Sequence, residues 1–401
     1  MSFSTSQRAL ARAMLYAVGV GAIISLIFWA HPFAAETVSE RAGAEQNEGP
    51  EEPSPITNGT LGVQKIFAIS IPSRLDKRDN IVLGSSLSDF HVEFIDAITP
   101  DEINPKTYPF NWNYDHRPVE YAARRSHLNA LQKIVHDGLG SAIIMEDDAD
   151  WDVSLKTQLQ SFAIAVRALQ SSSSSTDTNP PSKPQSPYGS NWDILWLGHC
   201  GITCNTSQPS FLTPNDPTIP PPHHFLPYWR DPPPPPPQPS DSSSSSRLTC
   251  AITDGVCSLL YAVSQRGARK LLAALSVSPA ETAAKNIDTG AQFDVSLGRL
   301  CGAGDVVCYA PFPALTGGYT APGAVGRMSD INGDDEGGMG PGFEGVEVQG
   351  ERSHGVVYSV MMNVGRLIRG ETVVRAHWGD VERVEVEVGG FGVLGGRVVE
   401  P

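Results

Sequence analysis

The chain has no surplus of basic side chains. Its 29 Lys and Arg stand against 44 Asp and Glu, a formal net charge of −15. That balance excludes nucleic acid or an anionic membrane surface as the main partner. Cysteine is scarce: six in 401 residues, all between Cys200 and Cys308. None stands in a Cys-x-x-Cys spacing, which weighs against zinc and in favour of disulfides formed in an oxidising compartment. Local pairs (Cys200 with Cys204, Cys250 with Cys257, Cys301 with Cys308) are the simplest expectation. Large apolar residues are nearly missing from three stretches: Glu36 to Thr60, Ser171 to Pro187, and Pro232 to Ser246. The first reads as a flexible stem. The other two, with serine and proline runs, read as insertions that bury no core.

An apolar, uncharged run from Ala13 to Ala30 follows Arg8 and Arg12. As a helix it spans roughly 27 Å, close to a bilayer's hydrocarbon thickness. Tyr16 and Trp29 sit near its ends, and the acidic stretch Glu36 to Glu52 lies beyond it. Pro32-Phe33-Ala34-Ala35 lacks a clear small-x-small cleavage pattern. The expectation is therefore an uncleaved single-pass type II anchor, with a short cytosolic N-terminus and the rest luminal. Asn58-Gly59-Thr60 and Asn205-Thr206-Ser207 match the N-glycosylation acceptor pattern.

Beyond the stem, strand-like runs alternate with helical periods. Lys65 to Ile71, His91 to Ile95, Trp192 to Leu197 and Ser258 to Val263 read as strands. Val119 to Asp137 has the helical period, with Leu128, Leu131 and Val135 on one stripe and Gly138 as a stop. Ser264 caps a further helix bearing Ala268, Leu271, Leu272 and Leu275. Such alternation predicts an α/β domain with a mainly parallel sheet. The Val/Gly-rich segment Val384 to Val399 could also pair as strands.

The most informative stretch is Ala142-Ile143-Ile144-Met145-Glu146-Asp147-Asp148. A buried-looking strand stops on three adjacent carboxylates, which repel each other and are costly to bury unpaired. A hard divalent cation, Mn²⁺ or Mg²⁺, bridging them to substrate phosphates would neutralise the cluster. A solvated acidic turn, extended by Asp150 and Asp152, is the plainer alternative. On an extended backbone Glu146 and Asp148 point the same way and Asp147 the other. Asp148 is then the candidate direct metal ligand, with Glu146 supporting through water or ribose and Asp147 free to bond a neighbouring loop. Arg74 and Arg78 follow the first strand, where guanidinium forks suit a nucleotide's phosphates. Ser126 and His127 lie on the helix before the acidic strand. His127 shares a face with Leu131 and Ile134, so it is either a packed structural histidine or a donor-pocket group beside Arg125.

These segments, in this order, resemble glycosyltransferase family 25, the lipopolysaccharide- and collagen-type sugar transferases, in a fungal-like form. The matching residues are Ile69 to Arg78, Arg125 to Asn129, Ile144 to Trp151, Trp192 to Gly201, Tyr261 to Ala268, Asp294, and Ser329-Asp330-Ile331. The first strand ends Ser70-Ile71 where the family usually has Asn-Leu. The resemblance implies a GT-A-like nucleotide-sugar-binding domain and a UDP-sugar donor, commonly UDP-galactose. Together with the expected anchor, it suggests an inverting transfer to a glycan, glycoprotein or glycolipid acceptor in a Golgi or other secretory compartment. The Glu-Asp-Asp would then hold the metal, and Asp294 matches a family aspartate suited to be the catalytic base. A helix-start role for Asp294, or Asp254 as base, remains open. His199 could line the cleft, and Cys200 serves the fold through a disulfide.

The expected organisation is residues 1–12 cytosolic, 13–30 membrane anchor, 31–63 stem and 64–331 transferase domain. Insertions fall near 171–187 and 232–246, and 332–401 form a C-terminal extension. Two other functions compete: a non-catalytic luminal relative that binds glycans or partners on the same scaffold, and a metal-dependent phosphohydrolase.

Overall fold

Short apolar runs punctuated by Gly, Pro and Ser become strands, and the longer periodic segments cover them. In chain order these are β1 (Lys65–Ser70), α1 (Leu75–Leu87), β2 (Glu93–Asp96), α2 (Pro118–His136), β3 (Ser141–Glu146), β4 (Ala149–Trp151) and α3 (Leu155–Ser173). Next come β5 (Ile194–Gly198), β6 (Gly201–Cys204), β7 (Ser210–Thr213), β8 (Arg247–Val256), β9 (Leu260–Ser264), α4 (Gln265–Leu272) and α5 (Phe293–Gly302). The remainder is β10 (Cys308–Phe312), β11 (Thr316–Thr320), β12 (Gly323–Ala324), β13 (Val348–Gln349), β14 (Arg352–His354), α6 (Val364–Ile368), β15 (Val373–Arg375), β16 (Glu385–Glu387) and β17 (Arg397–Val399).

The computed structural model describes residues 55–109, 111–173, 186–225, 245–278, 284–285, 287–324, 330–331 and 348–401. The expected anchor, most of the stem and most of both insertions lie outside the described residues. Among the described residues no helix is long and apolar enough to cross a membrane.

The main sheet has ten strands, ordered β17-β7-β8-β10-β5-β9-β3-β1-β2, with β6 joined to β8. Parallel pairing holds β3-β1-β2 and β5-β10. The sheet as a whole is mixed rather than mainly parallel, because β9 runs antiparallel between β3 and β5 and the β6, β7, β8 and β17 pairings are antiparallel.

Both faces of the sheet are covered, and the strand period of two divides the work. Ile66, Ala68, Ile143 and Met145 pack with Leu159, Phe162 and Val166 of α3. Phe67, Ile69, Ala142 and Ile144 pack with Leu128, Leu131 and Ile134 of α2, and with Leu271 of α4 and Leu297 of α5. The buried stripe of α2 thus uses Ile134, while Val135 is only partly buried. Pro118 starts that helix, and Gly138, at φ +69, ends it. Truncating one of these fully buried leucines to Ala would cost about 2–5 kcal/mol.

Three sequence expectations shift. Ile56, Leu61 and Val63 are buried in the core, so the last part of the supposed stem is packed; three spaced apolar side chains suffice despite the Gly- and Pro-rich setting. Cys301 pairs with Cys308, but the other bridges are Cys200–Cys257 and Cys204–Cys250. The antiparallel β6–β8 ladder sets Gly201 opposite Val256 and Cys204 opposite Ile252, which carries each cysteine to a partner on the facing strand. Finally, the expected C-terminal extension is built into the domain: β17 pairs with β7 at the edge of the main sheet, and β14 pairs with β11 in a separate three-stranded sheet.

Candidate active site

The acidic triplet sits where the chain passes between sheets. β3 leaves the main sheet at Glu146, Asp147 and Asp148 make the corner, and β4 joins a three-stranded sheet ordered β14-β11-β4. The corner backbone is clamped on both sides: Glu146 N donates to Leu259 O (2.9 Å), and Tyr319 N donates to Asp148 O (2.8 Å). The corner sends Glu146 toward Ser258 and His127, while Asp147 and Asp148 both approach Lys77.

Asp147 turns toward α1. Lys77, in the first turns of that helix and only 7% exposed, donates from Nζ to Asp147 Oδ1 at 2.9 Å. Its ammonium also lies 3.2 Å from Asp330 Oδ2 and 3.8 Å from Asp148 Oδ2. Burial by itself would depress the ammonium's pKa, but Asp148, Asp147 and Asp330 outweigh it and hold Lys77 firmly charged. Arg74 extends the network, forking onto Asp76 through two bonds of 3.0 Å and reaching Asp330. Two cations thus face four carboxylates, and the cluster retains an appetite for positive charge.

Asp148 is the member left short. Its Oδ1 is buried with no hydrogen-bond partner, an arrangement that costs on the order of 1–3 kcal/mol or more for a charged group. Burial raises its pKa to about 6; Lys77 opposes the shift, and Glu146 and Asp147 add to it. Glu146 behaves differently. It accepts from Ser258 Oγ at 2.7 Å and lies 3.5 Å from His127 Nε2. Burial disfavours its charge, yet the His127 and Ser258 contacts prevail and keep its pKa below the usual value.

His127 is held from three sides. It stacks on Phe293 (4.4 Å between ring centres, 4° between planes), meets Tyr261 Oη through Nδ1 at 3.1 Å, and faces Ser258 through Nε2 at 3.3 Å. Ser126, fully buried, donates to Ala122 O (2.8 Å) and accepts from Ile98 N (3.0 Å), fixing the segment after β2. Arg78 points elsewhere, to Ser70 O, Asp96 and the face of Phe94. Arg125 bonds Asn129 on its own helix.

Two cavities meet at this corner. The smaller, about 280 Å³, is lined by Ser70, Lys77, Ser126, Asp147 and Asp330. The larger, about 640 Å³, is lined by Arg124, Ser258, Asp294, Tyr319 and His354. His127, Glu146, Asp148 and Ile331 border both. Asp294, near the start of α5, accepts from Cys257 N at 2.7 Å. Burial raises its pKa, against the backbone bonds that stabilise its charge. Asp254 instead accepts from its neighbour Gly255 N at 2.9 Å and borders neither of these two cavities. His199 is fully buried and donates from Nε2 to Pro311 O (2.8 Å). Burial drops its pKa to about 4, so it is a neutral structural group.

The donor set fits a hard divalent ion of the kind that keeps several waters and takes only one or two protein carboxylates. The unpartnered Asp148 oxygen is the observation that carries this fit. Glu146, Asp147, Asp148 and Asp330 do not bring three ligand atoms within 4.8 Å of one another, so the described residues offer no closed cage here. Asp148 with Glu146 could hold such an ion, leaving its other positions to water and phosphate oxygens.

Sequence reasoning missed three contributors. Lys77 sat between two arginines that drew the attention. Ser258 had no motif. Arg124 is fully buried and donates to Thr289 O, Ala291 O, Leu275 O and Ser296 Oγ at 2.6–3.0 Å, which ties α2 to the helix bearing Asp294. Its signal was present: Arg124 shares a helical stripe with Leu128 and Leu131, a place where arginine is buried only when most of its donors are bonded, as its two terminal nitrogens are here.

Compared with known families, residues 63–178 match the model described as Glycosyltransferase family 25 (LPS biosynthesis protein). No curated protein matches the chain. The matched span covers Lys77, Ser126, His127 and the acidic triplet, while Ser258, Asp294 and Asp330 lie beyond it. Over residues 63–178 this chain resembles glycosyltransferase family 25, which supports a glycosyltransferase in general.

Proposed function

We propose that this protein is a metal-dependent glycosyltransferase of the GT-A type. It moves a hexose, galactose first among the candidates, from a UDP-sugar to a glycan, protein or lipid hydroxyl in the secretory pathway. The observation that carries the reading is the buried, unpartnered oxygen of Asp148 at the border of two cavities, beside a positively charged Lys77.

The smaller cavity suits the donor. Asp148 and Glu146 would hold Mn²⁺ or Mg²⁺, which when bound supplies Lewis-acid charge to the leaving diphosphate. Lys77 offers a further positive charge to the same diphosphate, and Arg74 holds Asp330 in the wall of that cavity. Ser126 fixes the backbone at Ile98, which also lines it. His127, locked by Phe293 and Tyr261, keeps Glu146 in place.

The larger cavity suits the acceptor. Asp294 takes the hydroxyl proton as the acceptor oxygen bonds to the anomeric carbon and the bond from that carbon to the diphosphate breaks, releasing UDP. A base on the acceptor side and a leaving group on the other give inversion. Burial makes Asp294 more basic than an exposed carboxylate, which suits that task.

The test is donor turnover by the purified full chain, screened across UDP-sugars with and without Mn²⁺ or Mg²⁺. Metal-dependent hydrolysis of UDP-galactose, lost in Asp148→Ala, is the expected result; a fully active Asp148→Ala refutes the assignment. One observation favours a non-catalytic binding relative instead: Lys77 already neutralises part of the triplet. UDP binding that ignores the metal, without turnover, would select that reading.

A further inference from the structure

Far along the chain from the acidic corner, a 3₁₀ turn at Pro222–His224 presents two adjacent imidazoles to Asp380. His223 Nε2 lies 2.6 Å from Asp380 Oδ2, and His224 Nε2 lies 2.8 and 3.0 Å from Oδ1 and Oδ2. Among the described residues this is the group of three ligand side chains whose ligand atoms all fall within 4.8 Å of one another. None of the three belongs to the proposed transferase site.

We propose that His223, His224 and Asp380 form a site for a borderline transition-metal ion of the zinc class. Imidazole nitrogen and carboxylate oxygen are its usual ligands, and Mg²⁺ or Ca²⁺ would not select two imidazoles. The geometry is near what such an ion requires. Ligand distances of about 2.0–2.1 Å in a tetrahedron separate the ligand atoms by roughly 3.4 Å. The present 2.6–3.0 Å contacts therefore need to open by about 0.4–0.8 Å. In the metal-free arrangement both Nε2 atoms face the carboxylate as donors. Loading moves the ring proton to Nδ1 and frees the Nε2 lone pair.

The site is also supported from behind. His224 stacks on Trp378 at 4.7 Å and 10°, which fixes its ring plane. Asp380 stands on the connection between β15 and β16, and that hairpin is anchored by Val374 and Val386 against Val357 and Tyr358. His223 and Asp380 are well exposed, at 66% and 45% of their side-chain area, so water completes the coordination. A bound ion would tie the 222–224 turn to the C-terminal hairpin.

The experiment uses the full chain, stripped of metal with a chelator and titrated with Co²⁺ and then Zn²⁺. One equivalent of Co²⁺ should give the intense visible absorption of a four-coordinate nitrogen and oxygen site, and Zn²⁺ should displace it. His224→Ala and Asp380→Asn should each weaken binding by about a hundredfold or more, with far-ultraviolet circular dichroism unchanged because neither side chain lies in the core. Asp148→Ala, and His136→Ala at an exposed histidine elsewhere, should leave the titration intact. Absence of the absorption in the unaltered chain overturns the proposal. So does its survival in Asp380→Asn and His224→Ala, or its loss in Asp148→Ala.

Discussion

Asp147 and Asp148 stand within five residues of Asp150 and Asp152, yet the two pairs live in opposite electrostatic worlds. On the β4 side, Asp150 accepts from Ser353 Oγ, Ser359 Oγ and Trp151 N, and Asp152 accepts from Ser154 N and Tyr358 N. Every one of those donors is neutral. Both carboxyls are buried, and burial raises their pKa, Asp152 to about 7. They are struts that fasten the three-stranded sheet to the C-terminal segment. On the β3 side, Asp147 and Asp148 face an ammonium, and one buried Asp148 oxygen has no hydrogen-bond partner among the described residues. A buried carboxylate with all its bonds made is finished structure, whereas one with an unused oxygen is where the proposed cation would bind.

That contrast can be broken in four places. The largest effect should come from Asp148→Ala, which should lower kcat by about a thousandfold. Several kcal/mol of transition-state charge stabilisation, at tenfold per 1.36 kcal/mol, set that scale. Thermal unfolding of the variant should stay close to that of the unaltered chain.

Asp294→Asn comes next, with kcat down by about a hundredfold and donor KM nearly unchanged, as befits a base on the acceptor side. Steady-state kinetics against both substrates separate this from a binding defect. An equal loss in KM for the donor would move Asp294 out of the base role.

Lys77→Met should cost stability, about 3 kcal/mol in denaturant titrations, because it strands buried carboxylates without their counter-charge. Ser353→Ala on the β4 side removes one bond to Asp150 and should cost only about 1–2 kcal/mol, with metal-dependent turnover kept. If Ser353→Ala abolished turnover while Lys77→Met did not, the division between strut and site would be wrong.

Acidity gives the gentlest probe. Asp148 has its pKa raised to about 6 in the folded state, above an unfolded value near 3.9. Its contribution to stability is therefore fully present below about pH 4 and is lost as pH rises through about 6. Metal affinity runs the other way, since the ligand must be ionised. Metal-dependent UDP binding should weaken as pH falls below about 6, and Asp148→Asn should abolish that dependence along with binding.

Much of the contrast was legible in the residues. A run of apolar side chains ending in Glu-Asp-Asp announced the acidic corner after β3, and the helical stripe of Leu128 and Leu131 announced the helix beside it. What the sequence hid was pairing at long range. Nothing near Cys200 or Cys204 says that β6 folds back on β8, so local bridges looked simplest. Nothing near Asp150 says that serines some two hundred residues later will supply its hydrogen bonds. Lys77 was masked by Arg74 and Arg78, because a one-dimensional reading cannot tell which of three basic residues in one turn faces inward. The antiparallel β9 was equally hidden, since its strand period is identical in either direction.

The central claim is that Asp148's unused oxygen awaits a divalent cation carrying a nucleotide diphosphate. Calorimetric titration of UDP into the full chain, with and without Mn²⁺, tests it most directly. The account predicts binding only when Mn²⁺ is present, and none in Asp148→Ala under either condition. Equal UDP binding without metal, or undiminished binding by Asp148→Ala, would contradict it.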